Sequence, residues 1–183
     1  MNSHNAIKLT QEWLSTIVIG LQLCPFAKKP FNQQTIRYVA SSAQSDEERI
    51  DELTKECRLL DENTKVETSL IIYPNGLDNF FDYSQLIDWA NAHLKKQGWQ
   101  GIYQIATFHP SYTFANTHSD ARENLTNRAP YPILHLLRED DLQEAIDQFP
   151  DTQTIPDKNI ATMNNLTEQD VKQLFYYLLK DKD

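Results

Sequence analysis

The sequence is poor in cysteine, in long apolar runs and in positive charge, and each shortage narrows what the chain can be. It has two cysteines in 183 residues, Cys24 and Cys57. Neither has a near neighbour for CxxC chemistry, so a disulfide framework is excluded and a reducing cytoplasm is the expected compartment. No apolar stretch reaches the roughly 18 residues that a membrane-spanning helix needs. The most apolar run, residues 13 to 27, is broken by Ser15, Thr16 and Gln22, and it lacks the flanks of a cleaved targeting signal. Lysine and arginine total 17 against 26 acidic residues, for a net charge of -9. Nucleic acids and anionic membranes are bound by basic faces, so neither is an expected partner.

What remains is the composition of an ordinary globular domain, with 40% hydrophobic and 23% charged residues. The length fits a single domain spanning residues 1–183, and no repeat, low-complexity tract or linker divides it.

Residues 1 to 7 read as a loose tail. Leu9, Trp13, Ile17, Leu21 and Cys24 then make one helical stripe, which predicts a helix from about Thr10 to Leu23, stopped by Pro25. Lys28, Lys29 and Pro30 form its polar exit. Strands are predicted at Thr35 to Ala40, Glu67 to Tyr73 and Ile102 to Phe108, the second buried on both faces. Ser45 with Glu48 is a capping box opening a helix to about Leu60, where Cys57 is a core filler. A third helix is predicted from Tyr83 to Gln97, capped by Asp82, with Leu86, Trp89, Ala90 and Leu94 turned inward. Asp140 with Gln143 caps a short helix to about Phe149, and residues 150 to 165 read as loop. Thr167 to Asp170 caps a closing helix whose apolar face is Val171, Leu174, Phe175, Leu178 and Leu179. This order predicts an α+β fold: a two-layer sandwich, ferredoxin-like or a related mixed four-stranded sheet backed by helices, with a three-layer α/β sheet as the rival.

The chemistry concentrates in Thr107 to Glu139, which holds three of the five histidines and three of the eight prolines. His109 follows the third strand directly, where ligand groups gather in crossover-fed sheets, and Pro110 keeps it extended. Asp120, Asn124 and Arg128 recur at helical spacing, so a helix there would align an acid, an amide and a guanidinium fork suited to a carboxylate or phosphate. The same spacing also describes a plain surface network. His118 reads as exposed. Ile133 to Leu137 is ambiguous between strand and helix, and as a strand it puts His135 on an apolar face with Ile133 and Leu137.

Three blocks together resemble a known family: Leu23-Cys24-Pro25-Phe26-Ala27, Phe108-His109-Pro110, and Asn127 to Pro132 continued by Leu134 to Glu139. They are similar to the bacterial proteins grouped as domain of unknown function 1415. The resemblance covers nearly the whole chain and implies a one-domain cytoplasmic protein, with no activity, cofactor or catalytic residue to carry over. It also raises the standing of Cys24, which Lys28 and Lys29 would push toward thiolate and a helix C-terminus away from it.

Four readings follow. In the first, the chain is an enzyme acting on a small anion. Arg128, with Asn124, Asn127, Arg138 or Lys28, binds the anion, His109 is general acid or base, and Asp120 orients it. A variant uses Cys24 as nucleophile beside His109 or His135. In the second, the same residues capture a metabolite without transforming it, as a binding or regulatory module. A metal site from Cys24, His109, His118 and His135 matches no standard zinc spacing, so no metal is assigned. In the last, the polar stretch is a scaffold that knits a loop to the sheet. Cofactor and oligomeric state are left open.

Overall fold

A computed structural model describes residues 3–149 and 151–179. The first helix, α1, runs Ser3–Trp13 and continues as a π-helix over Leu14–Ile19. The expected loose tail is therefore helical from Ser3, while Met1 and Asn2 lie outside the described residues. The widening has a local cause. The hydroxyls of Ser15 and Thr16 both donate to the Glu12 carbonyl, at 3.0 and 2.7 Å, and compete with the backbone for it. Gly20 then closes the turn by donating to the Ser15 carbonyl. A Cβ there would lie 2.2 Å from the Thr16 carbonyl oxygen, so only glycine fits. Gln22, at φ 58°, reverses the chain into Cys24-Pro25.

The polar exit expected at Lys28 to Pro30 is a short helix, α2 (Lys28–Gln33), with Pro30 in its first turn, where a missing amide costs nothing. Strand β1 (Ile36–Ala40) leads to α3 (Asp46–Glu62), opened by the complete Ser45–Glu48 capping box. Next come β2 (Thr68–Ile72), α4 (Phe80–Gln97) and β3 (Tyr103–Phe108). A long loop with a 3₁₀ stretch at Arg122–Asn127 reaches β4 (Ile133–Arg138), which resolves the ambiguous segment as strand. It runs straight into α5 (Glu139–Asp147), whose predicted Asp140 cap is absent because Arg138 holds the capping position. Residues expected as loop form α6 (Ile155–Asn165), with Pro156 in its first turn, while Pro150 lies outside the described residues. Helix α7 (Glu168–Leu174) carries the predicted Thr167–Asp170 box.

The sheet order is β1-β2-β4-β3. Strands β1 and β2 are parallel, paired from Ile36 opposite Thr68 to Ala40 opposite Ile72. Strand β4 lies antiparallel to both β2 and β3. The α+β class with a mixed four-stranded sheet backed by helices is what forms, and the parallel pair makes it the related mixed sheet rather than the ferredoxin-like one. Helices pack on both faces. One core joins α3 and α4 to the sheet through Leu53, Cys57, Leu86, Ala90, Ile71 and Leu134. The other joins the chain's two ends through Trp13, Ile17, Leu70, Ile133, Met163 and Phe175. Trp89, expected inward, is 48% exposed. Tyr83, Leu86, Ala90 and Leu94 form the buried stripe, and Trp89, one residue before Ala90, is turned about 100° away.

Tyr83 ties the two cores to the strand ends. Its buried hydroxyl donates to the Ile133 carbonyl at 2.7 Å and accepts the Phe108 N–H at 3.1 Å. Tyr83→Phe leaves both backbone groups short of a partner and should lower stability by about 2 kcal/mol, read from urea midpoints at constant m.

Candidate functional site

The residues singled out in the sequence divide between two edges of the sheet. At the carboxyl end of β3, His109 is fully buried. Its Nδ1 accepts the Ser111 N–H at 2.9 Å, which fixes the other nitrogen as the donor to the Leu77 carbonyl at 2.8 Å. Desolvation holds its pKa below the usual range, against the raising effect of Leu77. Both nitrogens of this neutral ring are thus committed to backbone. It stacks among Phe80 and Tyr83, with centroids at 5.3 and 5.0 Å.

The long loop is organised by amides rather than by a helix. Asn124 is fully buried. Its oxygen accepts the Phe114 N–H at 3.0 Å and the Thr117 hydroxyl at 2.9 Å, and its amide donates to the His118 carbonyl at 2.8 Å. Asn127 donates to the Thr107 carbonyl, and its own carbonyl accepts the His109 N–H. Arg128 turns its guanidinium onto the carbonyls of Tyr112 and Ser119. Asp120 stays exposed and pairs with His118, whose hydrogen bond holds the carboxyl below its usual range. The expected single helical face of Asp120, Asn124 and Arg128 does not form, since residues 116 to 121 turn irregularly with Asn116 at φ 66°. These residues lie near one another as loop ties.

Cys24, Lys28 and Arg138 belong to the opposite edge. Cys24 is half-buried, and burial pushes its thiol up, although the N–H groups of Phe26 and Ala27 favour the thiolate. It is not set against His109, because the two residues that follow it line a cleft at the far ends of β2 and β4. Lys28 is exposed in the first turn of α2. Arg138 donates to the carbonyls of Leu60, Asn63 and Val66, closing the C-terminal end of α3 onto β4, with Asp141 at 3.8 Å. Cys57 is fully buried in the α3 stripe. Among the described residues no cluster of three or more His, Cys, Asp or Glu side chains could hold a metal ion, and no helix is long and apolar enough to cross a membrane.

The cleft itself measures about 520 Å³. One wall is Pro25, Phe26, Lys29 and Pro30. The floor is Thr68 and Leu137, and the far wall is α5 with Leu142, Ala145 and Gln148. Phe26 meets Phe149 edge-on at 5.9 Å across it. Thr68 is the residue the sequence reading missed. Its hydroxyl has one hydrogen, which goes to the Leu136 carbonyl, so at 2.6 Å it accepts the Nε2–H of His135. A threonine opening a β-branched strand carries no signal that sets it apart from a packing residue. The cleft therefore joins two of the sequence blocks that carried the family resemblance, Leu23 to Ala27 and Leu134 to Glu139. The chain belongs to the family described as protein of unknown function (DUF1415). The family model matches residues 5–173, so both edges of the sheet fall inside it. No curated protein and no solved structure matches the chain.

His135 lies behind Thr68 on the apolar face expected of it, with Phe108 at 6.4 Å. Desolvation takes its pKa from an ordinary 6.5 down to about 4. The folded ring is neutral where the unfolded ring is charged, so this site costs nothing above pH 6.5. Its penalty grows as pH falls from about 6.5 and is complete below about 4. His135→Gln should remove on the order of 2–3 kcal/mol from the acid-induced loss of stability between pH 7 and pH 4, measured by denaturant titration at each pH.

Proposed function

We propose that the chain captures a small molecule in the cleft between residues 25–30 and α5, as a binding or regulatory module rather than through acid–base chemistry at His109. The observation that carries this reading is the convergence of residues 25–30 with Thr68 and Leu137 around about 520 Å³. That volume lies in the range of small-ligand sites. The lining is apolar at Phe26, Leu142 and Phe149, with hydrogen-bonding groups at Thr64, Glu67 and Gln148.

The charges in the lining favour a particular ligand. Lys29, with Arg138 whose guanidinium also holds the Leu60, Asn63 and Val66 carbonyls, supplies positive charge for an anionic group, in place of the Arg128 clamp expected from the sequence. Glu67, Asp141 and Glu144 stand on the other walls. A simple anion is repelled by those three carboxylates, while a zwitterion with a short apolar body meets both signs and the two phenylalanines. Two free thiols fit a reducing cytoplasm as the setting, and the net charge of -9 is unfavourable to nucleic acid.

A thermal-shift screen of amino-acid-like zwitterions and simple carboxylates tests the reading. Binders should raise the Tm of the unmodified chain by a few degrees at saturating concentration. They should leave unchanged an Ala145→Trp variant whose indole fills the cleft. Equal shifts in both proteins, or a preference for simple anions that survives Ala145→Trp, would place the ligand elsewhere.

A further inference from the structure

A second polar cluster lies at the carboxyl ends of the parallel strands β1 and β2, on the far side of the turn whose Leu77 carbonyl takes the His109 ring. The strands end side by side at Ala40 and Ile72, and α3 packs against β2. Ligand groups collect at this end of parallel strands because crossovers leave a crevice there. Arg49 is 5% exposed. Its Nη1 pairs with Asp46 at 2.6 Å and its Nη2 donates to the Gly76 carbonyl at 3.3 Å. A Cβ on Gly76 would come within 2.8 Å of Nη2, so the turn is fitted closely to the guanidinium.

Three polar atoms in this cluster are enclosed and lack a protein partner: Arg49 Nε, Glu52 Oε2 and the Tyr73 hydroxyl. Tyr73 is 1% exposed and feels the charges of both Glu52 and Arg49, while the nearby Ser41 side chain favours the ionised form of Glu52 against the effect of burial. Buried polar groups in folded proteins are nearly always satisfied, and contacts too long for a direct bond are commonly bridged. The three atoms differ in what they require. Arg49 Nε only donates, an ionised Glu52 only accepts, and the tyrosine hydroxyl does both. An anion would suit Arg49 and be repelled by Glu52, and a cation the reverse. A molecule that donates and accepts at once serves all three.

We propose that this cluster is a binding site for one enclosed water molecule, held by Arg49, Glu52 and Tyr73. The water accepts from Arg49 Nε, donates to Glu52 Oε2 and bonds the Tyr73 hydroxyl, which is the usual complement of about three bonds for a buried water. It fastens the start of α3 to the end of β2, beside the turn that Arg49 holds through the Gly76 carbonyl.

The sign of one substitution tests this. Tyr73→Phe keeps the ring and removes the hydroxyl. With the water in place, the loss of a bond should lower the folding equilibrium constant about fivefold. Without it, the substitution only deletes an unbonded buried hydroxyl, and stability should hold or rise, which overturns the proposal. NMR on the unmodified chain gives an independent readout that does not depend on the variant folding. A long-lived water should show a cross-peak to the Arg49 Nε–H or the Tyr73 ring, and its absence also overturns the proposal.

Discussion

The structure depends on β4 lying antiparallel between β2 and β3. The two crossovers through α3 and α4 set β1, β2 and β3 in one direction, and the third strand is placed two positions from β2, with one position open between them. Strand β4 fills that position, pairing Leu70 with His135 on one side and Ala106 with the same residue on the other. Because β4 runs against its neighbours, its start lies with the carboxyl ends of the other strands and its end with their beginnings. The stretch from Thr107 to Glu139 is thereby divided. Its first part joins the loop network around His109, and its last part joins the segment after Cys24.

That division explains why one edge is closed and the other open. At the His109 edge nearly every polar side chain finds a backbone partner: the imidazole takes Ser111 and Leu77, Asn124 holds residues 114 to 118, and Arg128 holds Tyr112 and Ser119. Such a long loop needs these ties, because backbone groups without a ladder must be satisfied otherwise. At the other edge Arg138 does the same work for α3 alone, and space is left between Phe26 and α5.

Local signals in the sequence were sound where the structure is itself local. The capping boxes at Ser45 and Thr167 rest on contacts within three residues, and β2 and the strand ending at Phe108 are marked by runs of consecutive apolar and β-branched residues. The site was less legible, for reasons that lie in distance along the chain. Asp120, Asn124 and Arg128 suggested a face only if residues 120 to 128 were a regular helix, and the 3₁₀ stretch breaks that spacing. Arg138 reaches carbonyls more than 70 residues away, which no spacing rule encodes. Thr68 and Phe26 matter because the β1–α3–β2 crossover brings them together. Helix α6 was hidden by its polar composition and by a proline that is harmless in a first turn.

The three tryptophans are distributed in a way that has a spectroscopic consequence. Trp13 is 2% exposed within the core built by the chain's two ends, Trp99 is 9% exposed within the core under α3 and α4, and Trp89 stands in solvent on the outer side of α4. Each face of the sheet therefore carries its own buried fluorophore, with a third in water as an internal reference. The two cores can be followed separately by emission as the chain unfolds, and any difference in their cooperativity is visible without adding a label.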